Sequence, residues 1–233
     1  MRSLVIISTI VLLGYTVAGA VAVSDTAGDL RFTEDRFDFG CVGVDFKLFH
    51  TFKLVNDGRI PIHIDTVTGH CDCTEVRFVD STIAPGDTSK ILIIFNTANF
   101  YGPVEKTIGV RAHKAKNSSF EIAYSANVGQ WLMKLEPKPV SVFFLPNQKV
   151  RTASLLNHAL DKITVTDIYL NDDIVDFKPL RSEAAKGESI DYEITPKATL
   201  PPGTHMSNYT MTVDLHQNTA PLRITIPVKV VRY

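Results

Sequence analysis

From Lys47 to Asn56 the chain reads K-L-F-H-T-F-K-L-V-N, with Leu48, Phe52 and Leu54 on one parity and Lys47, Thr51 and Lys53 on the other. That two-residue period marks a strand with one face in a core and one in water. Asn56-Asp57-Gly58 follows it with residues that tolerate positive φ, and alternation resumes from Ile60 to Val67. Ala84-Pro85-Gly86-Asp87 is a second turn. After it, Ile91-Leu92-Ile93-Ile94-Phe95 is a short apolar run suited to a strand buried on both faces. Further strands are predicted over Glu105–His113 and Phe120–Val128, and no stretch beyond the N-terminal segment carries a helical apolar stripe. Short strands with turn signals between them, over about a hundred residues, predict a β-sandwich.

The layout is written twice. Leu54-Val55-Asn56 recurs as Leu155-Leu156-Asn157, and Ala84-Pro85-Gly86-Asp87 as Ala185-Lys186-Gly187-Glu188, both 101 residues on. Gly102 and Gly203 keep the same offset, while Phe120-Glu121-Ile122 meets Leu222-Arg223-Ile224 at 102. At the front, Leu30, Phe32, Phe37 and Phe39 match Met133, Leu135, Val140 and Val142 at 103. The chain therefore reads as all-β, two copies of one sandwich over residues 30–129 and 132–233, joined near Gly129–Trp131. The joint is short and Pro137 and Pro139 soon follow, so a stiff tandem is expected, with the single tryptophan, Trp131, packed between the domains.

The N-terminus adds an address. Met1-Arg2-Ser3 carries one positive charge, Leu4 to Val17 is uncharged and mostly apolar, and Ala18-Gly19-Ala20 and Ala20-Val21-Ala22 offer small-residue cleavage sites. This is the pattern of a secretory signal over residues 1–22. The rival reading is an uncleaved hydrophobic helix, because residues 4–23 carry no charge and are just long enough to span hydrocarbon. On either reading the rest of the chain is exported: periplasmic, at the cell surface or secreted, touching a membrane only through residues 1–23 if they are retained.

Composition narrows the function classes. With 45% hydrophobic and 21% charged residues the 233-residue chain is neither disordered nor a multi-span membrane protein. Its 24 Lys+Arg against 25 Asp+Glu give a net charge of −1, with no basic footprint for nucleic acid. Cleavage after residue 22 removes one Arg and no acid, leaving −2. The sequence holds no G-x-S-x-G, H-E-x-x-H, G-x-x-x-x-G-K-[ST] or G-x-G-x-x-G.

An ordered series runs through the first copy: Phe37-Asp38-Phe39-Gly40, His50-Thr51-Phe52, Asn56-Asp57-Gly58, Cys71-Asp72-Cys73-Thr74, Ile83-Ala84-Pro85-Gly86, and Phe95-Asn96-Thr97 with Gly102. It resembles the bacterial Ig-like family catalogued as domain of unknown function fifteen-seventy-three, within the ASH/MSP/hydin-like group of immunoglobulin-type sandwiches. The likeness is close over residues 30–113 and extends to 131–233 through the repeat. The family usually has Cys-Gly-Cys-Thr where this chain has Cys-Asp-Cys-Thr, and a non-Cys residue at Cys41. The resemblance implies two tandem immunoglobulin-like β-sandwiches and an exported or cell-envelope protein. It implies no activity; eukaryotic cousins are associated with scaffolding and protein contacts.

One cluster could carry chemistry: His70-Cys71-Asp72-Cys73. In a regular strand Cys71 and Cys73 would have Cα atoms about 6.5–7 Å apart, at or beyond the usual disulfide limit, so a bond between them needs a local turn. Cys41 is an alternative partner, and closing that loop would stabilise by about 3–4 kcal/mol. Two thiolates with His70 could instead bind Cu(I) or Zn, although no second Cys/His pair follows at tetrahedral-site spacing. Thiol-redox chemistry of the Cys-x-Cys pair is the third reading. The second copy contains no cysteine, so the fold does not require the cluster.

Asn171-Asp172-Asp173 with Asp176 lacks the spacing of a calcium loop and reads as a polar turn. His50 and His63, inside strand patterns, read as core or edge histidines. The expectation is an exported, non-catalytic, cofactor-free protein that holds or contacts a protein or another envelope macromolecule. The alternative is a small periplasmic metal-binding or thiol-redox protein centred on Cys71 and Cys73.

Overall fold

The computed structural model describes residues 28–69, 71–130 and 134–233. The expected signal or anchor, His70 and Trp131 lie outside the described residues. Every regular element described is a strand. The first half runs β1 (Leu30–Phe32), β2 (Arg36–Val42), β3 (Lys47–Asn56), β4 (Ile62–Gly69) and β5 (Thr74–Phe78). It continues through β6 (Thr82–Ile83), β7 (Thr88–Asn96), β8 (Gly102–His113) and β9 (Ser119–Val128). The second half runs β10 (Leu135–Lys138), β11 (Val142–Phe144), β12 (Arg151–Asn157), β13 (Lys162–Leu170) and β14 (Val175–Pro179). Its last strands are β15 (Glu183–Ala185), β16 (Ser189–Pro196), β17 (Gly203–Asp214) and β18 (Leu222–Arg232).

These strands lie where the alternation places them. β3 covers Lys47–Asn56, and its inward parity, completed by His50, is fully buried. In β7, Ile91, Ile93 and Phe95 face the core and Ile94 is also buried, but Leu92 is half-buried and Lys90 exposed, so the run expected to be buried on both faces is so only toward its end. β4 starts at Ile62 rather than Ile60, directly after Pro61, which has no N–H to give a ladder.

Strands β1-β3-β7-β5 form one four-stranded sheet and β10-β12-β16-β14 another in the corresponding order. The rest form a single ten-stranded sheet, β15-β13-β17-β18-β2-β9-β8-β4-β6, with β11 also paired to β18. Each first-half strand thus has its counterpart nine elements later, down to the parallel pairs β2·β9 and β11·β18. Each small sheet packs over one half of the long one, and a buried apolar cluster fills each space between.

The same polar residue locks both halves. Asn56 ends β3 fully buried, and its Nδ2 donates to the Ile60 and Ile83 carbonyls at 2.8 and 2.9 Å while its Oδ1 accepts from Gly58 N at 3.0 Å. Asn157 ends β12 equally buried, donating to the Leu160 and Ala184 carbonyls and accepting from Leu160 N. Each asparagine also pairs through its backbone with the turn that follows the short strand: Gly86 N donates to the Asn56 carbonyl, and Gly187 N to that of Asn157. One side chain therefore ties the end of a strand in the small sheet to a strand of the long sheet.

The halves do not meet as two bodies on a short linker; they share the long sheet. β2 lies between β9 and β18, touching β18 in register at Cys41–Ile224. Gly40 makes the approach possible: its φ is +66°, and a Cβ there would fall 2.1 Å from the Arg223 carbonyl oxygen. Asp38 holds this irregularity, accepting from Gly40 N and from Ser125 Oγ, both at 2.9 Å. Thr225 Oγ1 donates to the Phe39 carbonyl at 2.6 Å, and Phe49 N donates to Asn208 Oδ1 at 2.6 Å. The cores even exchange residues: Cys41 packs in the second cluster and Tyr169 against the first.

Replacing Asn56 or Asn157 with Ala strands two buried carbonyls and one amide, so each change should destabilise the chain by about 2–3 kcal/mol. Chemical denaturation of the two variants tests this, and a loss below about 0.5 kcal/mol in either would contradict the role assigned to the clamp.

Candidate functional site

Two groups of side chains stand out from the packing. The first is the cysteine motif, in the turn between β4 and β5. Thr74 N donates to the Cys71 carbonyl at 3.3 Å, so the segment turns instead of continuing as a strand. That brings the Cα atoms of Cys71 and Cys73 to 5.2 Å, within the usual disulfide range, with the sulfurs at bonding distance. The backbone is docked by Asn96 N donating to the Cys73 carbonyl at 2.9 Å. Both sulfurs lie near Thr74 Oγ1, at 3.7 Å from Cys71 and 3.6 Å from Cys73. Thr74 in turn hydrogen-bonds the hydroxyl of Tyr124, a buried phenol whose pKa burial pushes up to about 12.

Cys41 is not part of this group. It is buried in the second half's core, and burial, then the nearby Asp38, raises its thiol pKa. The structure thus brings together Cys71 and Cys73 of the three candidate thiols, while His70 lies outside the described residues. Among the described residues no three His, Cys, Asp or Glu side chains converge as metal ligands. The acids after β13 are engaged by a lysine: Lys197 Nζ lies 3.2 Å from Asp173 and 2.5 Å from Asp176.

The second group sits where the halves join, and periodicity gave only half of it. His50 falls on the inward parity of β3 and is fully buried. Its ring stacks on Phe37 at 3.6 Å, and the Arg223 guanidinium from β18 lies over the Phe37 ring, 4.6 Å from its centroid. Nε2 donates to Glu34 Oε1 at 2.9 Å, leaving Nδ1 to accept from Tyr169 OH at 3.3 Å. Burial, then the Arg223 cation, lowers the His50 pKa to about 3. Burial also raises the Glu34 pKa, against the pull of Arg223 and Lys53. Tyr169 is pushed up to about 12 by burial, then by the Glu34 and Asp172 carboxylates. The neutral imidazole is therefore a bridge between halves. Its partners come from sequence positions far apart, and nothing in the local pattern names them.

With this geometry in place, comparison with known proteins finds a family match over the first half. Residues 30–128 match the family described as protein of unknown function (DUF1573). The DUF1573 motifs read from the sequence are architectural here. Phe37-Asp38-Phe39-Gly40 makes the bulge against β18, Asn56-Asp57-Gly58 the clamp, and Thr97 pins the β2–β3 corner by donating to the Gly43 carbonyl and accepting from Phe46 N, both at 2.9 Å. No curated protein matches the chain.

Among solved structures, a protein of unknown function from Porphyromonas gingivalis W83 is 11% identical, covering 87% of this chain and 100% of that one at a TM-score of 0.35. The ASH/PapD-like domain 7 of human CEP192 is 12% identical, covering 54% and 97% at 0.36. The E. coli chaperone DraB is 13% identical, covering 84% and 96% at 0.33.

The buried His50 carries a pH signature. Its folded pKa lies near 3 and its ordinary value is 6.5, so the unfolded chain binds a proton that the folded chain refuses. Stability is fully present above about pH 6.5 and falls by a few kcal/mol as pH drops through that window toward 3. Glu34, raised from 4.5, acts with the opposite sign: its contribution is complete at low pH and is lost as pH rises through its folded value. Denaturation midpoints at pH 7 and pH 4 should differ more for the parent chain than for His50→Gln. Equal differences would remove His50 as the cause.

Proposed function

We propose that the chain is an exported, non-catalytic protein of two immunoglobulin-like sandwiches, residues 30–129 and 132–233, which binds an extended segment of another envelope protein. The observation that carries this reading is the half-paired edge of β13. β15 pairs only with Lys162–Thr164, and Val165 N then donates to the Ser182 carbonyl at 2.8 Å. Beyond that, among the described residues, Thr166–Leu170 has a neighbour on the β17 side alone. Beside this edge a cleft of about 280 Å³ opens between the sheets, lined by Val165, Ile168, Phe177, Ile190, Tyr192 and Met211. Unpaired strand backbone next to an apolar slot suits a partner strand, which adds to the sheet and buries alternate side chains. The DUF1573 match, which carries no assigned activity, is compatible with such a role.

A photo-crosslinking residue at Ile168, in the native host, tests this. The reading expects light-dependent adducts with a discrete envelope protein at that position and none at exposed Lys149, on a mature chain lacking residues 1–20 or 1–22. Adducts absent at 168, or equal at both positions, would overturn it.

A second reading rests on the surface turn that holds the Cys71 and Cys73 sulfurs at bonding distance. That geometry fits a disulfide better than a metal site, since two sulfurs bonded to each other are not spread around an ion. A bond across two residues closes so short a loop that Cys71→Ser/Cys73→Ser should cost at most about 2 kcal/mol. If the pair is redox-active, the same variant loses thiol exchange with a glutathione buffer while Ile168 crosslinking persists. A parent chain whose mass stays fixed across the buffer series counts against the redox reading.

A further inference from the structure

The shared sheet contains a notch. β18 gives one edge to two strands placed end to end: β2 meets it at Ile224, and β11 at Val228–Val230. Between them lies Pro227, which has no N–H to offer a neighbouring strand. A cleft of about 270 Å³ opens there, walled by Asp45, Phe46 and Lys47 from the β2–β3 corner and by Ser141, Val142 and Phe143 from the start of β11. It sits between the two halves, as ligand clefts often do.

The lining is apolar with a few directed polar groups. Phe143 on β11 and Met206 on β17 flank Lys229 of β18 as cross-strand neighbours. Both apolar side chains are unusually open, at 37% and 42% exposed. Lys229 Nζ lies 5.4 Å from the Phe143 ring centroid, and Lys47 stands on the opposite wall. Among the described residues neither lysine has a carboxylate within ion-pair distance, and Asp45 is the one acid in the lining. Ser207 also lines the cleft, but its buried side chain lies on the core face of β17, opposite to Met206 and Lys229.

We infer that this cleft binds a small apolar carboxylate. The tail lies on Phe143 and Met206, and the carboxylate sits between Lys47 and Lys229. Charge decides the class, since two ammonium groups against one carboxylate favour an anionic head and disfavour a cationic one. The inference needs neither the β13 edge nor an envelope location, so it stands or falls apart from the partner reading.

Amide chemical shifts of the full chain, titrated with octanoate below its aggregation limit, test the site, with octanol and octylamine as controls. Expected is saturable one-to-one octanoate binding with shifts centred on Phe143, Met206 and Lys229. Lys47→Gln/Lys229→Gln should weaken octanoate roughly tenfold and leave octanol unchanged. Met206→Glu should weaken octanoate alone, by charge repulsion. All three substitutions are at exposed positions, and an unchanged unfolding midpoint confirms an intact fold. Non-saturating octanoate, shifts centred elsewhere, octylamine binding as tightly, or full affinity in the double lysine variant would each overturn the assignment.

Discussion

The edge that β18 shares with β2 is the constraint on which the rest of this molecule depends. A sandwich that ended at β18 would leave a long strand half unpaired, with its backbone groups open to any other chain. Here the first half covers part of that edge with β2 and the second half covers another part with its own β11. Such covering demands a close approach, which Gly40 permits because it has no side chain to meet the Arg223 carbonyl. Once the backbones are this close, neighbouring polar groups must be satisfied internally. Thr225 with the Phe39 carbonyl, and Asn208 with Phe49 N, are the result. His50 belongs to the same logic: a buried imidazole held neutral between Glu34 and Tyr169 fills the seam without bringing a buried charge.

Each half is otherwise organised by its asparagine clamp. Hydrophobic burial fixes which face of a strand turns inward but not where a strand stops along its partner. Asn56 and Asn157 supply that stop, since a side chain bridging two carbonyls and an amide tolerates little sliding. The turns Ala84–Asp87 and Ala185–Glu188 close against the same residues through Gly86 and Gly187. Clamp and turn therefore recur at one offset because they are one device.

Much of the fold was legible because it rests on local pattern. The alternation at Lys47–Asn56, the turn residues and the fixed offset all express nearest-neighbour physics, and the strands follow them. The shared sheet was not legible. A repeat says that two units exist, whereas their pairing depends on one bulge and on contacts between residues more than a hundred positions apart, such as Phe37 and Tyr169. The site was legible in part: a bond between Cys71 and Cys73 requires a local turn, and the segment between β4 and β5 does turn. His50 carried a signal in its inward parity, but its partners did not. The notch beside Pro227 arises only where two strands fail to meet, and no motif marks an absence of that kind.

The second half makes the corresponding turn without cysteines. Ile174 occupies the place of Cys73, buried against the second core. Lys197 N donates to its carbonyl at 3.0 Å, as Asn96 N does to that of Cys73 at 2.9 Å. The same turn is thus docked by the same backbone bond, with an apolar side chain as its plug and no sulfur. A covalent link that spans two residues adds little to a turn already held this way, because there is little chain entropy left to remove. The docking of this turn in the second half therefore uses no cysteine. Cys71 and Cys73 are half-buried beside the Thr74 hydroxyl, with Cys73 also against the first core, and any role for them has to work from that placement.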